Sequence, residues 1–77
     1  MITVLLFAHL QEEAGAHRLQ IDVQNLAVSE LKELVMKDYN VSLSQHTMVA
    51  INEEYVNEDD IIQDGDVVAL IPPVSGG

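Results

Sequence analysis

Two apolar runs near opposite ends of the chain constrain its fold more than anything between them. Val67 to Ile71 (VVALI) contains no polar residue. A strand that is apolar on both faces belongs inside a sheet, with a neighbour on each side. Ile2 to Ala8 (ITVLLFA) is almost as apolar. As a strand it would place Ile2, Val4 and Leu6 on one face and Thr3, Leu5 and Phe7 on the other. Seating the two runs centrally in one sheet buries both.

The residues between them supply one good helix. Val28, Leu31, Leu34, Val35 and Tyr39 recur at helical spacing, so the pattern predicts a helix over Val28 to Tyr39 with one apolar stripe. Glu30, Lys32, Glu33 and Lys37 are expected mostly outside that stripe. Ala27 falls at the N-cap, where an alanine cannot accept a hydrogen bond, so the start of this helix should be weak. His9 to Gly15 suits one or two helical turns closed by glycine. His17 to Val23 alternates cleanly and reads as a half-buried strand, antiparallel to the first. Thr47 to Ile51 is a further strand, and Asn52 to Glu54 turn into a short one around Tyr55 and Val56. Asn57 to Gln63 reads as an acidic connection anchored by Ile61 and Ile62, and Asp64-Gly65-Asp66 as a turn. A single long helix covers one face of a mixed sheet, so the expected architecture is an α+β roll.

Composition removes several functions. At 77 residues this is one small domain, and 48% hydrophobic residues suffice for its core. A net charge of −10 with only Arg18, Lys32 and Lys37 as cations argues against binding a phosphate backbone. The acidity fits either solubility or steering toward basic partners. The absence of cysteine excludes disulfides and thiolate metal sites. No apolar run approaches the ~18 residues of a membrane span, and the amino terminus lacks a basic targeting region, so a cytoplasmic protein is expected.

Metal and catalytic motifs are poor. The acids Glu53, Glu54, Glu58, Asp59, Asp60, Asp64 and Asp66 do not fit a calcium loop: Ile62 and Ile71 stand where ligands belong. His9, His17 and His46 lack ligand spacing. No serine lies in a nucleophile elbow and no phosphate-binding glycine loop occurs. The chain is therefore expected to bind no metal or nucleotide and to have no catalytic activity alone.

The remaining candidate is the last six residues, Pro72-Pro73-Val74-Ser75-Gly76-Gly77. The division expected is a folded domain over 1–71 and a flexible tail over 72–77. Prolines fix φ and favour an extended exit. Val74 offers an apolar side chain and Ser75 a hydrogen-bonding one, while Gly76 and Gly77 allow a narrow channel to close on the backbone. Six extended residues reach at most roughly 20 Å, so the domain must dock closely for the tail to enter a partner. Ordering four tail residues costs about 4–8 kcal/mol, which a docking surface must offset. Phe7, Tyr55 and Ile71 are candidates for that surface. The Gly77 carboxylate can attack the α-phosphate of ATP, and the resulting acyl-adenylate accepts either sulfur, giving a thiocarboxylate, or an amine, giving an isopeptide. A frayed end with no role is the plain alternative.

The opening VLLFAHLQEEAG, the segment SELKEL and the ending DGDVVALIPPVSGG resemble the MoaD family, the small sulfur-carrying subunits of molybdopterin synthase. The resemblance spans nearly the whole chain. It implies a ubiquitin-like β-grasp roll. It also implies that a MoeB-type partner uses ATP to adenylate Gly77, that the terminus becomes a thiocarboxylate, and that the tail enters a MoaE-type large subunit. There the sulfur would pass to cyclic pyranopterin monophosphate, within a heterotetramer. Phe7, Tyr55, Ile71, Pro72, Pro73, Val74, Ser75 and Gly76 are the implied partner contacts. Ala27 departs from the threonine often seen at that cap. A thiamine-pathway carrier, which usually lacks the Pro-Pro stem, and a protein modifier are the alternatives.

Overall fold

The computed structural model of the protein describes residues 1–23, 25–44 and 46–73. Its elements run β1 (Ile2–Leu6), α1 (His9–Ala14), β2 (Arg18–Ile21), β3 (Leu26–Ala27), α2 (Val28–Tyr39), β4 (Met48–Ile51), β5 (Glu54–Tyr55), β6 (Ile61–Ile62) and β7 (Val67–Ile71). The two apolar runs meet as expected: β1 and β7 pair in parallel, from Thr3 opposite Val67 to Leu6 opposite Leu70. β2 adds antiparallel to β1, and β4 adds antiparallel to β7. The main sheet thus reads β2-β1-β7-β4-β5, with β7 at its centre. Leu26 and Ala27 pair with Ile62 and Ile61 in a second, two-stranded sheet.

One face of the main sheet is dry. Ile2, Val4, Leu6, Leu19, Ile21, Val49, Val68 and Leu70 form a buried cluster with Val28, Leu31 and Val35 of α2. Val41, Leu10 of α1 and Ile62 of β6 complete it, the last two fully buried. Neighbouring Ile61 points away and is 53% exposed. The expected anchoring pair is therefore one anchor, because successive strand residues face opposite ways.

The start of α2 solves its capping problem with borrowed backbone. Ala27 is extended at the N-cap and makes no side-chain cap bond. Instead the amides of Val28 and Ser29 donate to the carbonyls of Asp60 (3.0 Å) and Glu58 (3.2 Å). Glu30 Oε1 accepts the Ala27 amide at 2.8 Å. The β3–β6 pairing holds those carbonyls in place. Ala27→Ser is therefore expected to add only about 0.5 kcal/mol, the low end for a cap, since the Ser29 amide already has an acceptor. Urea denaturation checks this; a gain of about 2 kcal/mol, the top of the range, would mean that the borrowed carbonyls do little. Asn40 closes the helix in the left-handed region, φ 55°.

Lys32 corrects the sequence reading. It is 9% exposed rather than on the polar side of α2. Its ammonium donates to Glu58 Oε1 at 2.6 Å and lies 3.4 Å from the Thr47 carbonyl. A buried cation needs a partner of this kind. The pair ties α2 to the 57–60 segment, where the helix also finds its caps. Other acids of that region close loops rather than merely facing solvent. Asp60 accepts the Asn57 amide at 2.7 Å, Asp66 accepts the Gln63 amide at 2.9 Å, and Asp64 pairs with the Met1 ammonium.

Candidate docking face and chain exit

The second face of the main sheet carries no helix. Strand register puts one row straight across it: Arg18 opposite Leu5, Leu5 opposite Ala69, Ala69 opposite Ala50 and Ala50 opposite Tyr55. Alanines in the middle and larger side chains at the ends leave a shallow groove. Leu5, Phe7, Val67 and Ile71 line it with Ala50, Ala69 and Tyr55. Tyr55 is 67% exposed and Phe7 41%. Ile71 is half-buried. The structure therefore brings the three sequence candidates onto one surface. Met48, also exposed, sits opposite Ile71 at its edge. Phe7, Met48, Tyr55 and Val67, four of the exposed large apolar side chains of the described residues, lie on it or at its edge, and contiguous exposed apolar surface marks interaction sites.

The sequence reading put Leu5 on the same face as Phe7 but did not single it out, and it missed Ala50, Val67 and Ala69 as members of this face. The signal was available: Leu5 lies two residues from Phe7, and Ala69 and Val67 lie two and four from Ile71, so each pair or triple shares a strand face.

Two tight turns position the exposed aromatics. Tyr55 follows a two-residue hairpin in which Asn52 and Glu53 both have positive φ, 50° and 73°, the signature of a type I′ turn. The Asn52 side chain reaches Asp66 Oδ1 and accepts the Val67 amide, both at 3.1 Å, fastening the hairpin to β7. Phe7 opens a second turn. The Leu10 amide donates to the Phe7 carbonyl at 3.1 Å, and Ala8 has φ 54° and ψ −134°. These are the values of the first central residue of a type II′ turn, a glycine position. An alanine held there costs on the order of 1–3 kcal/mol. Gln11 lies over the turn and donates from Nε2 to the Leu6 carbonyl at 2.8 Å.

The chain leaves the sheet beside this face. Alternation carries past β7, with Ile71 in the open groove and Pro72 buried on the other side. Pro72 and Pro73 line a separate groove with His9, Ser42, Leu43, Ser44 and Thr47. Pro73 is exposed. Neither proline has an amide to continue the ladder. The stem is thus rooted in its own domain, next to the apolar surface. The candidates Val74, Ser75, Gly76 and Gly77 lie outside the described residues.

Among the described residues no three His or acidic side chains gather as a metal site. His9 sits by the proline stem and His46 in a cleft near Lys32, two grooves that share Thr47 in their walls. Among the described residues, no helix is long and apolar enough to cross a membrane.

A mixed five-stranded sheet with parallel central strands and one long helix across one face defines a ubiquitin-like β-grasp protein. Its backbone superposes on the crystal structure of SAMP1 from Haloferax volcanii with a TM-score of 0.81, at 29% identity, covering 99% of this chain and 98% of that one. The chain belongs to the ThiS family, whose model matches residues 4–77. It is 38% identical to the molybdopterin synthase sulfur carrier subunit of Arabidopsis thaliana, over 99% of this chain and 82% of that protein. The protein of the same name from Chlamydomonas reinhardtii is 37% identical, over 99% of this chain and 98% of its own length.

Proposed function

We propose that the protein is the sulfur carrier of a molybdopterin synthase and works through its terminus. In this reading the Gly77 carboxylate attacks the α-phosphate of ATP on a MoeB-type activating partner, releasing pyrophosphate. Hydrosulfide from a sulfur donor then attacks the acyl carbon, the C–S bond forms as the C–O bond to phosphate breaks, and AMP leaves a thiocarboxylate behind. The carrier docks on a MoaE-type large subunit and gives that sulfur to cyclic pyranopterin monophosphate held there. The carrier itself binds no cofactor and performs no catalysis alone. It acts in the cytoplasm.

The observation that supports this most is the juxtaposition of an uncovered apolar sheet face with the point where the chain exits toward Gly-Gly. Docking through Phe7, Tyr55 and Ile71 would place the exit against the partner. The root at Pro72 would then aim Pro73 and the residues beyond it inward, toward a site within roughly 20 Å. Relatives over 30% identical carry the name sulfur carrier subunit, which favours sulfur over amine as the acceptor of the acyl-adenylate.

Incubation with ATP, an activating enzyme and a sulfur donor tests the proposal. Intact mass should show one oxygen replaced by sulfur at the terminus. An unchanged mass would refute it. A branched peptide joining Gly77 to a lysine would replace it with the protein-modifier reading.

A further inference from the structure

The turn that carries Phe7 is built against its own backbone preference. Ala8 occupies a glycine conformation, φ 54° and ψ −134°. Alanine gains more by leaving that region than glycine does. Local propensity therefore pulls the turn open, and the first side chain to move would be exposed Phe7. The turn's own backbone bonds, from the Leu10 amide to the Phe7 carbonyl and from the Gln11 amide to the Ala8 carbonyl, both at 3.1 Å, resist this, and three further contacts help them. The Leu10 side chain is fully buried beneath the turn. The Leu6 amide is tied to the His17 carbonyl at 2.9 Å. The Gln11 carboxamide bridges back to the Leu6 carbonyl at 2.8 Å, and this bond is partly shielded from water. The first two fix the ends of the segment. Only the third spans the turn with a side chain, from the residue before Phe7 to the first turn of α1.

We infer that Gln11 is a positioning residue for docking: its side chain latches a strained turn and so holds Phe7 presented on the open sheet face. This rests on the reading of Phe7 as a docking residue. An anchor held in its bound orientation loses less freedom on association. Gln11 therefore affects affinity through Phe7 rather than through its own contact with the partner.

The test is a double-mutant cycle by calorimetry against the molybdopterin synthase large subunit. Gln11→Met keeps length and removes the donor. It should weaken binding about 3- to 10-fold, the range for one hydrogen bond. In a Phe7→Ala background the same change should cost nothing further. In an Ala8→Gly background the loss should shrink, because a glycine turn needs no latch. Amide exchange of β1 and β7 should match the unmodified protein throughout. Full additivity with Phe7→Ala would overturn the inference, since it marks a direct contact of Gln11 with the partner. Unchanged affinity for Gln11→Met, or an undiminished loss in Ala8→Gly, would overturn it equally. Should Phe7→Ala bind as tightly as the unmodified protein, the docking reading itself falls and the inference with it. If Gln11→Met disturbs the fold, Gln11→Glu serves as a second variant. It keeps the size but sets a carboxylate against the Leu6 carbonyl, and the same cycle applies.

Discussion

Deletion of Gly77 is expected to abolish sulfur delivery while leaving the fold as stable as before. The buried core described here is built from residues between Ile2 and Leu70, and a glycine brings no side chain to bury. The deletion therefore removes no apolar burial. Its chemical effect is large. The new carboxylate, on Gly76, stops one residue short, about 3.3–3.6 Å along an extended chain. Acyl activation and sulfur transfer require reacting atoms about 3–3.5 Å apart, and a 1 Å misplacement alone can cost about 100-fold. Loss of one full residue should reduce pterin sulfuration to background. Thermal melting should coincide with that of the complete chain. Pterin conversion at the ordinary rate by the shortened protein would sink the assignment of Gly77 as the working group.

Phe7→Asp is the second large effect. Phe7 is partly exposed in the free protein, so the substitution removes little internal packing. In the docked state an aspartate would be desolvated among Leu5, Ala69, Ile71 and the partner's apolar surface. A central aromatic anchor is worth about 2–4 kcal/mol. Binding to the large subunit should therefore weaken by roughly 30- to 1,000-fold, with no loss of folding cooperativity. Calorimetry showing equal affinity would remove Phe7 from the interface.

Much of this architecture is legible in the residues because periodicity acts over enough of them. The five apolar positions of α2 span its whole length, and the element occupies Val28 to Tyr39 as the pattern predicts. The central place of β7 follows from its lack of any polar residue. Short elements escape such reading. β3 and β6 have two residues each, too few to show alternation, so only the tertiary pairing defines them.

Lys32 escaped for a different reason. It lies four residues after Val28 and three before Val35, squarely on the buried stripe by geometry. Its charge suggested the opposite, and only Glu58, distant in sequence, explains how it is accommodated. The Ala8 turn could not be foreseen at all. A glycine there would have announced it, whereas alanine disguises it. The docking surface lay between these extremes. Alternation placed Leu5 and Phe7 on one face of β1, but that Ile71 and Tyr55 join them depends on strand registers the sequence only suggests.

The parallel union of β1 with β7 has a consequence for biosynthesis. The middle of the sheet is filled by the strand that comes last among those described. Until Val67 to Ile71 emerge, β1 lacks one neighbour and β4 lacks its main one. The sheet therefore cannot consolidate before β7 is available. A prematurely terminated product would stay unfolded and be open to proteolysis. Synthesis of β7 thus acts as an inspection step: only polypeptides that contain it acquire the open sheet face.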